Sequence, residues 1–217
     1  DETIVRMPFE VRHMGSKYPI FSFDFTGAKR GVLPASYDYL RLEGRMQYRL
    51  NLPPIGYSQL MLEGGKIFGK VPYLLLKLHE GNGTYFYDRY AFSCMNFYEF
   101  SSDAWISFFY EHHFNGFLLG RVPLLKKLNW REVFVFKGVY GTLSARNDGS
   151  LPNTKAVMLF PVGMSSVEHP YLETGFGIEN IFRLLRVDCI WRLTHHRAVP
   201  GLSIPTFTVN FSLNLKF

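Results

Sequence analysis

The chain has 217 residues, of which 19% are charged and 17% aromatic, and its formal net charge is +6. It holds no apolar run long enough for a spanning helix, and its mean hydropathy is −0.03, which argues against a helical membrane protein. Lysine and arginine are spread along the chain without a dense basic run or a recognition motif, so we expect no nucleic-acid partner.

Apolar and polar side chains alternate along most of the chain. In residues 21–26 three phenylalanines alternate with polar residues, and in residues 41–49 a row of arginines and Glu43 shares one face. Successive side chains of a strand point to opposite faces, so this period of two predicts strands with one apolar and one polar face. The predicted strands are 3–13, 17–27, 36–52, 57–67, 104–116, 131–143, 170–182, 185–196 and 204–217.

The connections between these strands alternate between short and long. Tight turns are expected at 13–17, 53–56 and 183–184, whereas 68–103 and 144–169 are long. Short turns on one side, long loops on the other and strands longer than the globular average are typical of an antiparallel transmembrane β-barrel. A soluble antiparallel sandwich or barrel alternates in the same way, and this alternative stays open.

Residues that could carry chemistry do not form a known catalytic or metal-binding pattern. His79-Glu80 lacks the second histidine of a zinc-protease helix, and the adjacent His112 and His113 point to opposite faces of a strand. We therefore expect no catalytic residues, no metal site and no cofactor. The carboxylates that could act as acid or base are expected to form ion pairs on a polar strand face with Arg45, Arg186 and Arg192. These carboxylates are Glu173, Glu179 and Asp188.

The final strand carries the cleanest alternation and ends on an aromatic residue. Its apolar positions are Phe207, Val209, Phe211, Leu213, Leu215 and Phe217. This pattern resembles the β-signal of bacterial outer-membrane proteins. The resemblance implies that an assembly machine recognises the strand and that the strand pairs with the first strand of its barrel to form a seam. An ordinary edge strand is the alternative.

The segment ETGFGIENIFRLLRVDCIWRL, residues 173–193, resembles the penultimate hairpin of the outer-membrane assembly-factor and surface-antigen superfamily, which includes the BAM insertase barrel. In that superfamily a G-x-G strand, a tight turn and an arginine two residues before an aspartate form the motif. Here the corresponding residues are Gly175, Gly177, Arg186 and Asp188.

A second part of the resemblance concerns the long loop and the strand that follows it. In the family a loop arginine folds into the barrel, and a buried glutamate lies on the next strand. Here Asp88, Arg89 and Tyr90 occupy the positions of the loop motif, whose usual glycine is missing. Glu111 occupies the position of the buried glutamate. Phe136 occupies the position where the family usually has an aspartate that binds the loop arginine. We expect Glu111 to replace that aspartate and to pair with Arg89 in a lumen loop lock; a solvated loop arginine is the alternative.

These departures, together with YDRYAFSCMNFYEF and FYEHHFNG, resemble a Bacteroidetes family of unknown function in which such a barrel follows a carboxypeptidase-regulatory-like domain. The resemblance implies that residues 1–217 are one all-β membrane domain, the C-terminal part of a sixteen-strand barrel, with about nine strands here. It also implies location in the Gram-negative outer membrane, as a surface-antigen-type barrel.

The activity implied is outer-membrane protein assembly or translocation without catalysis. The implied partners are outer-membrane lipid, unfolded outer-membrane protein clients and an upstream periplasmic domain of the same protein. Two alternatives stay open: a passive channel or receptor with an arginine-lined lumen, and a soluble β-sandwich or barrel that binds a ligand.

Overall fold

The computed structural model describes residues 2–7, 10–16, 18–31, 36–150, 156–197 and 203–213, with side chains from residue 18 onward. Apart from one four-residue helix and two 3-10 turns, the described fold is all-β. In chain order the strands are β1 (Glu2–Met7), β2 (Glu10–Ser16), β3 (Ile20–Ala28), β4 (Tyr39–Leu52), β5 (Gly56–Gly69), β6 (Lys77–Leu78), β7 (Phe100–Ser102), β8 (Ala104–His113), β9 (Arg131–Thr142), β10 (Ser165–Ser166), β11 (Tyr171–Ile181), β12 (Leu185–Arg192) and β13 (Phe207–Leu213). The helix is α1 (Pro123–Lys126), and the 3-10 turns are Tyr73–Leu75 and Leu119–Arg121.

One eight-stranded sheet forms the framework. Its strand order is β13-β12-β11-β9-β8-β5-β4-β3, and every neighbouring pair is antiparallel. Strands that follow one another along the chain within this sheet are therefore also neighbours in space, as is usual for antiparallel strands joined by loops. A small sheet of order β10-β7-β6 and the β1–β2 hairpin complete the described strands.

The predicted strands agree with the eight strands of this sheet to within a few residues, with one error elsewhere. The prediction of a single strand over 3–13 is wrong, because the structure has two paired strands there, β1 and β2. Pro8 was the available signal, since a proline cannot donate to the ladder within a strand. The short strands β6, β7 and β10 were missed because two or three residues show no alternation. The last strand was predicted to reach residue 217, but Leu215 and Phe217 lie outside the described residues.

The two faces of the eight-stranded sheet differ sharply. One face, which we call the outer face, exposes apolar side chains from every part of the sheet. Phe23 on β3 is 69% exposed and Phe176 on β11 is 60% exposed. The same face carries Phe21, Phe25, Leu40, Phe68, Ile106, Tyr140, Trp191, Phe207, Phe211 and Leu213.

The opposite face, the inner face, is covered from β5 to β12 by residues 70–103, which we call the inner segment, whereas Asp24 on β3 is exposed. Phe92 of this segment packs against Phe109 on β8 and Tyr171 on β11, with ring centroids 5.1 and 5.3 Å apart. Val71 and Leu76 pack with Ile67, Trp105 and other residues in a second buried cluster. Burying each such side chain contributes about 1.5–3 kcal/mol, so apolar contact holds the inner segment to the sheet.

Within the described residues, no helix has the length and apolar character needed to cross a membrane.

Candidate functional site

A buried carboxylate lies at the centre of the inner face. Glu111 on β8 is 1% exposed. Its carboxylate accepts a hydrogen bond from Arg89 Nε at 2.8 Å and one from Arg186 Nη2 at 3.2 Å, and the Tyr87 hydroxyl donates a further one. His113 Nε2 lies 3.4 Å away. A buried charge is costly unless it is paired, and Glu111 is paired by groups from the inner segment and from β12.

The ion pair expected between Arg89 and Glu111 is thus present, and Tyr87 adds to it. Burial raises the pKa of the Tyr87 hydroxyl well above its ordinary value, so the hydroxyl remains a hydrogen-bond donor. The Arg186 guanidinium lies 4.4 Å from the centre of the Tyr87 ring. Lys137 Nζ lies 4.6 Å from the same ring centre, and a cation at such a distance from an aromatic face is attracted to it, which holds the Tyr87 ring beside Glu111.

The other two residues of the predicted lock shape the tip of the loop. Asp88 Oδ1 accepts a hydrogen bond from the Tyr90 N–H at 2.8 Å. The Tyr90 ring meets Phe109 edge-on, with centroids 6.3 Å apart. The Asp88 side chain thus holds the local turn, the Tyr90 ring packs against the sheet with Arg89 6.0 Å from its centre, and Arg89 makes the charge contact.

The hairpin motif places the second arginine of the site. Arg186 donates to Asp188 from Nε and Nη2 at 2.7 to 3.0 Å, and both residues are buried on the inner face. Asp188 pairs with Gly177 in the β11–β12 ladder, where a Cβ would collide with the Asp188 carboxylate. At Gly175 a Cβ would lie 2.8 Å from Ile190 Cγ1. The two glycines leave room for the side chains of the next strand, which is a physical reason for the G-x-G pattern.

Lys137, not Phe136, faces the inner segment from β9. The Phe136 side chain lies on the outer face, 6.3 Å from Phe108 between ring centroids, so it does not face the inner segment. Lys137 is 1% exposed, and its Nζ donates to the carbonyl oxygens of Asp88 at 2.7 Å and Ala91 at 2.5 Å. The sequence could have indicated this role, because Lys137 is the one charged residue in the apolar run VFVFKGVYG.

A third contact holds the inner segment near Cys94. The Glu173 carboxylate accepts hydrogen bonds from the backbone N–H groups of Ser93 and Cys94 at 2.8 and 2.7 Å, and from the Tyr171 hydroxyl at 2.6 Å. Arg192 forms an ion pair with Glu99 at 2.6 Å. The bonds from Ser93 and Cys94 join β11 to the inner segment, and the Arg192–Glu99 pair joins β12 to it, whereas the Tyr171 bond lies within β11.

The predicted ion pairs are therefore correct only in part. Asp188 pairs with Arg186 as expected, but Glu173 binds backbone N–H groups instead of an arginine. Glu179 lies 3.1 Å from His113 Nδ1. Arg45 and Lys77 both pair with Glu63, a residue that the sequence analysis did not single out, at 2.7 and 2.6 Å.

The described apolar residues of the last strand lie along one edge of the sheet. Phe207, Val209, Phe211 and Leu213 share the outer face of β13, which pairs with β12 on one side only. On the other side the inner segment makes a single bridge, between Phe86 and Phe211.

The arrangement pairs charges between the sheet and the inner segment. Among the described residues, no three His, Cys, Asp or Glu side chains come together as metal ligands. Cys94 and Cys189 are not disulfide-bonded, and burial raises the pKa of the Cys94 thiol to about 12. Paired charges on the inner face hold residues 70–103 against the sheet.

The fold and this face define a class: an all-β protein built on one antiparallel sheet, with an apolar outer face and a charged inner face covered by its own loop. Residues 3–145 match the C-terminal domain of a family of unknown function (DUF5686). The match spans well over half of the chain, and the chain belongs to this family. It includes the inner segment and Glu111 and ends before the β11–β12 hairpin. No curated protein matches the chain.

We expect Glu111→Gln to destabilise the protein by about 3 kcal/mol, because the buried Arg186 would keep only Asp188 as its carboxylate partner and the partly exposed Arg89 would lose its ion pair. Urea unfolding measures the loss, and trypsin cleavage after Arg89 reports release of the inner segment. Glu43→Gln is the matched control: this carboxylate lies on the same face but pairs with the partly exposed Arg41, so about 0–1 kcal/mol is expected. Equal losses in both variants would contradict a special role for Glu111.

The inner segment also carries a pH-sensitive group. Burial lowers the pKa of His79 from 6.5 to about 3, with Lys77 as a further cause. The folded state therefore excludes a proton that the unfolded state binds below pH 6.5. The stability contributed by neutral His79 is complete above pH 6.5 and is lost as the pH falls towards 3, by up to about 1.4 kcal/mol per pH unit. Between pH 7 and 3 the free energy of unfolding should fall less steeply with pH for His79→Gln than for the wild type. Identical slopes for the two proteins would show that His79 does not contribute to the pH dependence.

Proposed function

We propose that the chain is the membrane-embedded part of an outer-membrane β-barrel in a Gram-negative cell, and that it serves the assembly or translocation of other outer-membrane proteins without catalysis. The observation that carries the membrane part of this proposal is the exposure of apolar side chains across the outer face, while most charged side chains of the sheet lie on the inner face and those of β8, β11 and β12 and Lys137 of β9 are buried there. A water-soluble sheet would place these faces the other way round.

Strand length supports the same proposal. β4 and β5 have 14 residues each, β9 has 12 and β11 has 11. A tilted strand needs about 9–11 residues to cross the hydrocarbon core of a bilayer. Exposed aromatic residues at turns, such as Tyr18 and Phe182, suit the membrane interface.

A membrane environment further requires the sheet to close. Unpaired backbone groups are costly in lipid, so the edges at β3 and β13 need partners there. The resemblance supplies a form for this closure, a sixteen-strand barrel in which the described strands are the last ones. In that orientation the C-terminus is periplasmic and the inner segment enters the lumen from the outside.

The assembly role rests on the resemblance and on the coherence of its motifs. Arg89 from the loop motif and Arg186 from the hairpin motif meet at Glu111, so residues selected from three separate stretches form one site. The weak seam between the first and last strands would template the strand of a client chain by β-augmentation.

The two alternatives have less support. A passive channel would need an open lumen, but the inner segment covers the inner face from β5 to β12, and Arg45, Arg186 and Arg192 are paired with carboxylates. A soluble binding protein would expose Phe23 and Phe176 to water, and so large an apolar patch is uncommon on a soluble monomer.

Lipid exposure can be tested by labelling single cysteines in native membranes. In a Cys189→Ala background, Phe176→Cys on the outer face should react with a lipid-soluble maleimide and not with a water-soluble one, because lipid excludes the charged reagent. The matched control is Phe182→Cys. Phe182 lies in the β11–β12 turn and is 85% exposed, so a cysteine there should react with the water-soluble reagent. Cys94 is buried and stays unlabelled. Equal labelling of both positions by the water-soluble reagent would exclude a lipid-facing outer face.

The assembly role is tested separately by repressing the gene in its host. We expect the folded forms of other outer-membrane barrels to decrease, as measured by quantitative proteomics and heat-modifiable gel mobility. Restoring the wild-type gene should reverse the decrease, whereas the Glu111→Gln variant should reverse it less. Normal barrel levels together with altered solute uptake would favour the channel alternative instead.

A further inference from the structure

The β8–β9 connection and the β11–β12 turn enclose a cavity at one end of the sheet. Its volume of about 530 Å³ lies within the range of small-molecule sites, about 300–1,000 Å³. The charged and amide residues that line it are Asn115, Lys126, Asn129, Arg131, Asn180 and Arg183. Asn180 Nδ2 donates to the Asn129 carbonyl oxygen at 2.7 Å. This hydrogen bond joins the two connections, so the cavity has walls from both.

Three asparagines set the shape of this cavity and leave polar groups free. Asn115, Asn129 and Asn180 have φ angles of 54°, 53° and 69°, in the left-handed region that asparagine enters more readily than most residues. The side-chain amides of Asn115 and Asn129 make no hydrogen bond within the described residues. Their Nδ2 groups are therefore available to donate to the oxygen atoms of a ligand.

The two segments around the cavity carry positive charge without any acidic residue. Residues 114–131 and 180–185 together contain five basic residues, which are Arg121, Lys126, Lys127, Arg131 and Arg183. Arg131 lies opposite Glu179 in the β9–β11 ladder, which balances part of its charge. Lys126 and Arg183 are exposed and form no ion pair with any described residue. The charge of the cavity is therefore suited to an anion.

Exposed apolar residues lie beside the lining residues in both segments. These residues are Leu118, Val122 and Leu128 in the β8–β9 connection and Phe182 and Leu184 in the β11–β12 turn, and they are 44–85% exposed. Leu185 pairs with Leu213 of the outer face next to this turn, so the apolar outer face extends to the cavity end of the sheet. Unpaired cations beside exposed apolar groups fit a ligand with an anionic head and apolar chains.

We propose that this cavity binds the phosphate headgroup of an anionic phospholipid, whose acyl chains lie against the adjoining outer face. Lys126 and Arg183 supply the positive charges for the phosphate, and the amides of Asn115 and Asn129 donate hydrogen bonds to the same headgroup. The ends of membrane strands are the level at which lipid headgroups lie. The inference rests on the proposed membrane function, which supplies the lipid but assigns no site to it.

Native mass spectrometry of the full-length protein in a nonionic detergent tests this site. The protein is titrated with phosphatidylglycerol, which is anionic, and with phosphatidylcholine, which is zwitterionic. We expect phosphatidylglycerol to bind at least about tenfold more tightly, because basic residues at a membrane surface attract anionic lipids. Glycerol phosphate, a water-soluble compound with the same phosphate chemistry, should not displace the lipid, because it has no acyl chains to contact the apolar residues.

Charge variants locate the site. Lys126→Gln with Arg183→Gln should weaken phosphatidylglycerol binding by about twenty-five-fold, about fivefold for each positive charge removed. Lys126→Arg with Arg183→Lys keeps both charges and should keep the preference for phosphatidylglycerol. Lys70→Gln with Arg146→Gln is the matched control, because it removes the same charges from exposed residues at the opposite end of the sheet. Its phosphatidylglycerol binding should equal that of the wild type. Heat-modifiable gel mobility checks that each variant is folded.

Three outcomes would overturn the inference. They are equal affinity of the wild type for the two lipids, equal weakening by the cavity pair of substitutions and by the control pair, and displacement of the lipid by glycerol phosphate. The last outcome would indicate a site for a free phosphate compound instead. A failure of the membrane proposal appears separately, in the labelling of Phe176→Cys, because Phe176 lies in the sheet and not in the cavity. A protected Phe176→Cys without any lipid preference would remove the lipid site alone.

Discussion

The structure depends on a carboxylate that has been removed from water. Glu111 is buried on β8, and its charge has to be balanced by groups that local sequence cannot supply. Arg89 comes from the inner segment, and Arg186 comes from β12, which is separated from β8 by β9 and β11 in the sheet. Pairing Glu111 therefore determines where the loop tip lies and brings together parts of the sheet that do not share backbone hydrogen bonds.

The same requirement explains why the inner face mixes ionic and apolar contacts. Charge pairs fix the position of the inner segment, because a lysine or carboxylate left without its partner would be strongly destabilising there. Phe92 and its neighbours supply the apolar burial that a charge network alone does not give. The outer face is left to an apolar row that includes Phe23 and Phe176, and the proposed contact with lipid rests on this row.

Sequence reasoning predicted the framework better than the contacts across it. Alternation decides strand position and face directly, so the eight strands of the sheet could be predicted. The absence of the family's aspartate led to the expectation that Arg89 pairs with Glu111. Lys137 was missed because the resemblance drew attention to Phe136, which is one residue away and therefore on the other face of the sheet. The partners of Glu173 are backbone N–H groups of Ser93 and Cys94, which every residue except proline possesses, so no residue pattern could identify them.

The two glycines of the β11–β12 hairpin belong to the same chain of contacts as the sheet edge. Gly177 leaves space for Asp188, Asp188 orients Arg186, and Arg186 shares Glu111 with Tyr87. Tyr87 is also the residue whose backbone N–H bonds to Phe211 at the edge of β13. Because one residue of the loop tip joins the charge network by its side chain and the edge strand by its backbone, the buried site and the edge strand are linked. If the first strand of the barrel paired with Phe211 in place of Tyr87, Tyr87 would have to move, and Glu111 would then hold Arg89 and Arg186 with one hydrogen bond fewer.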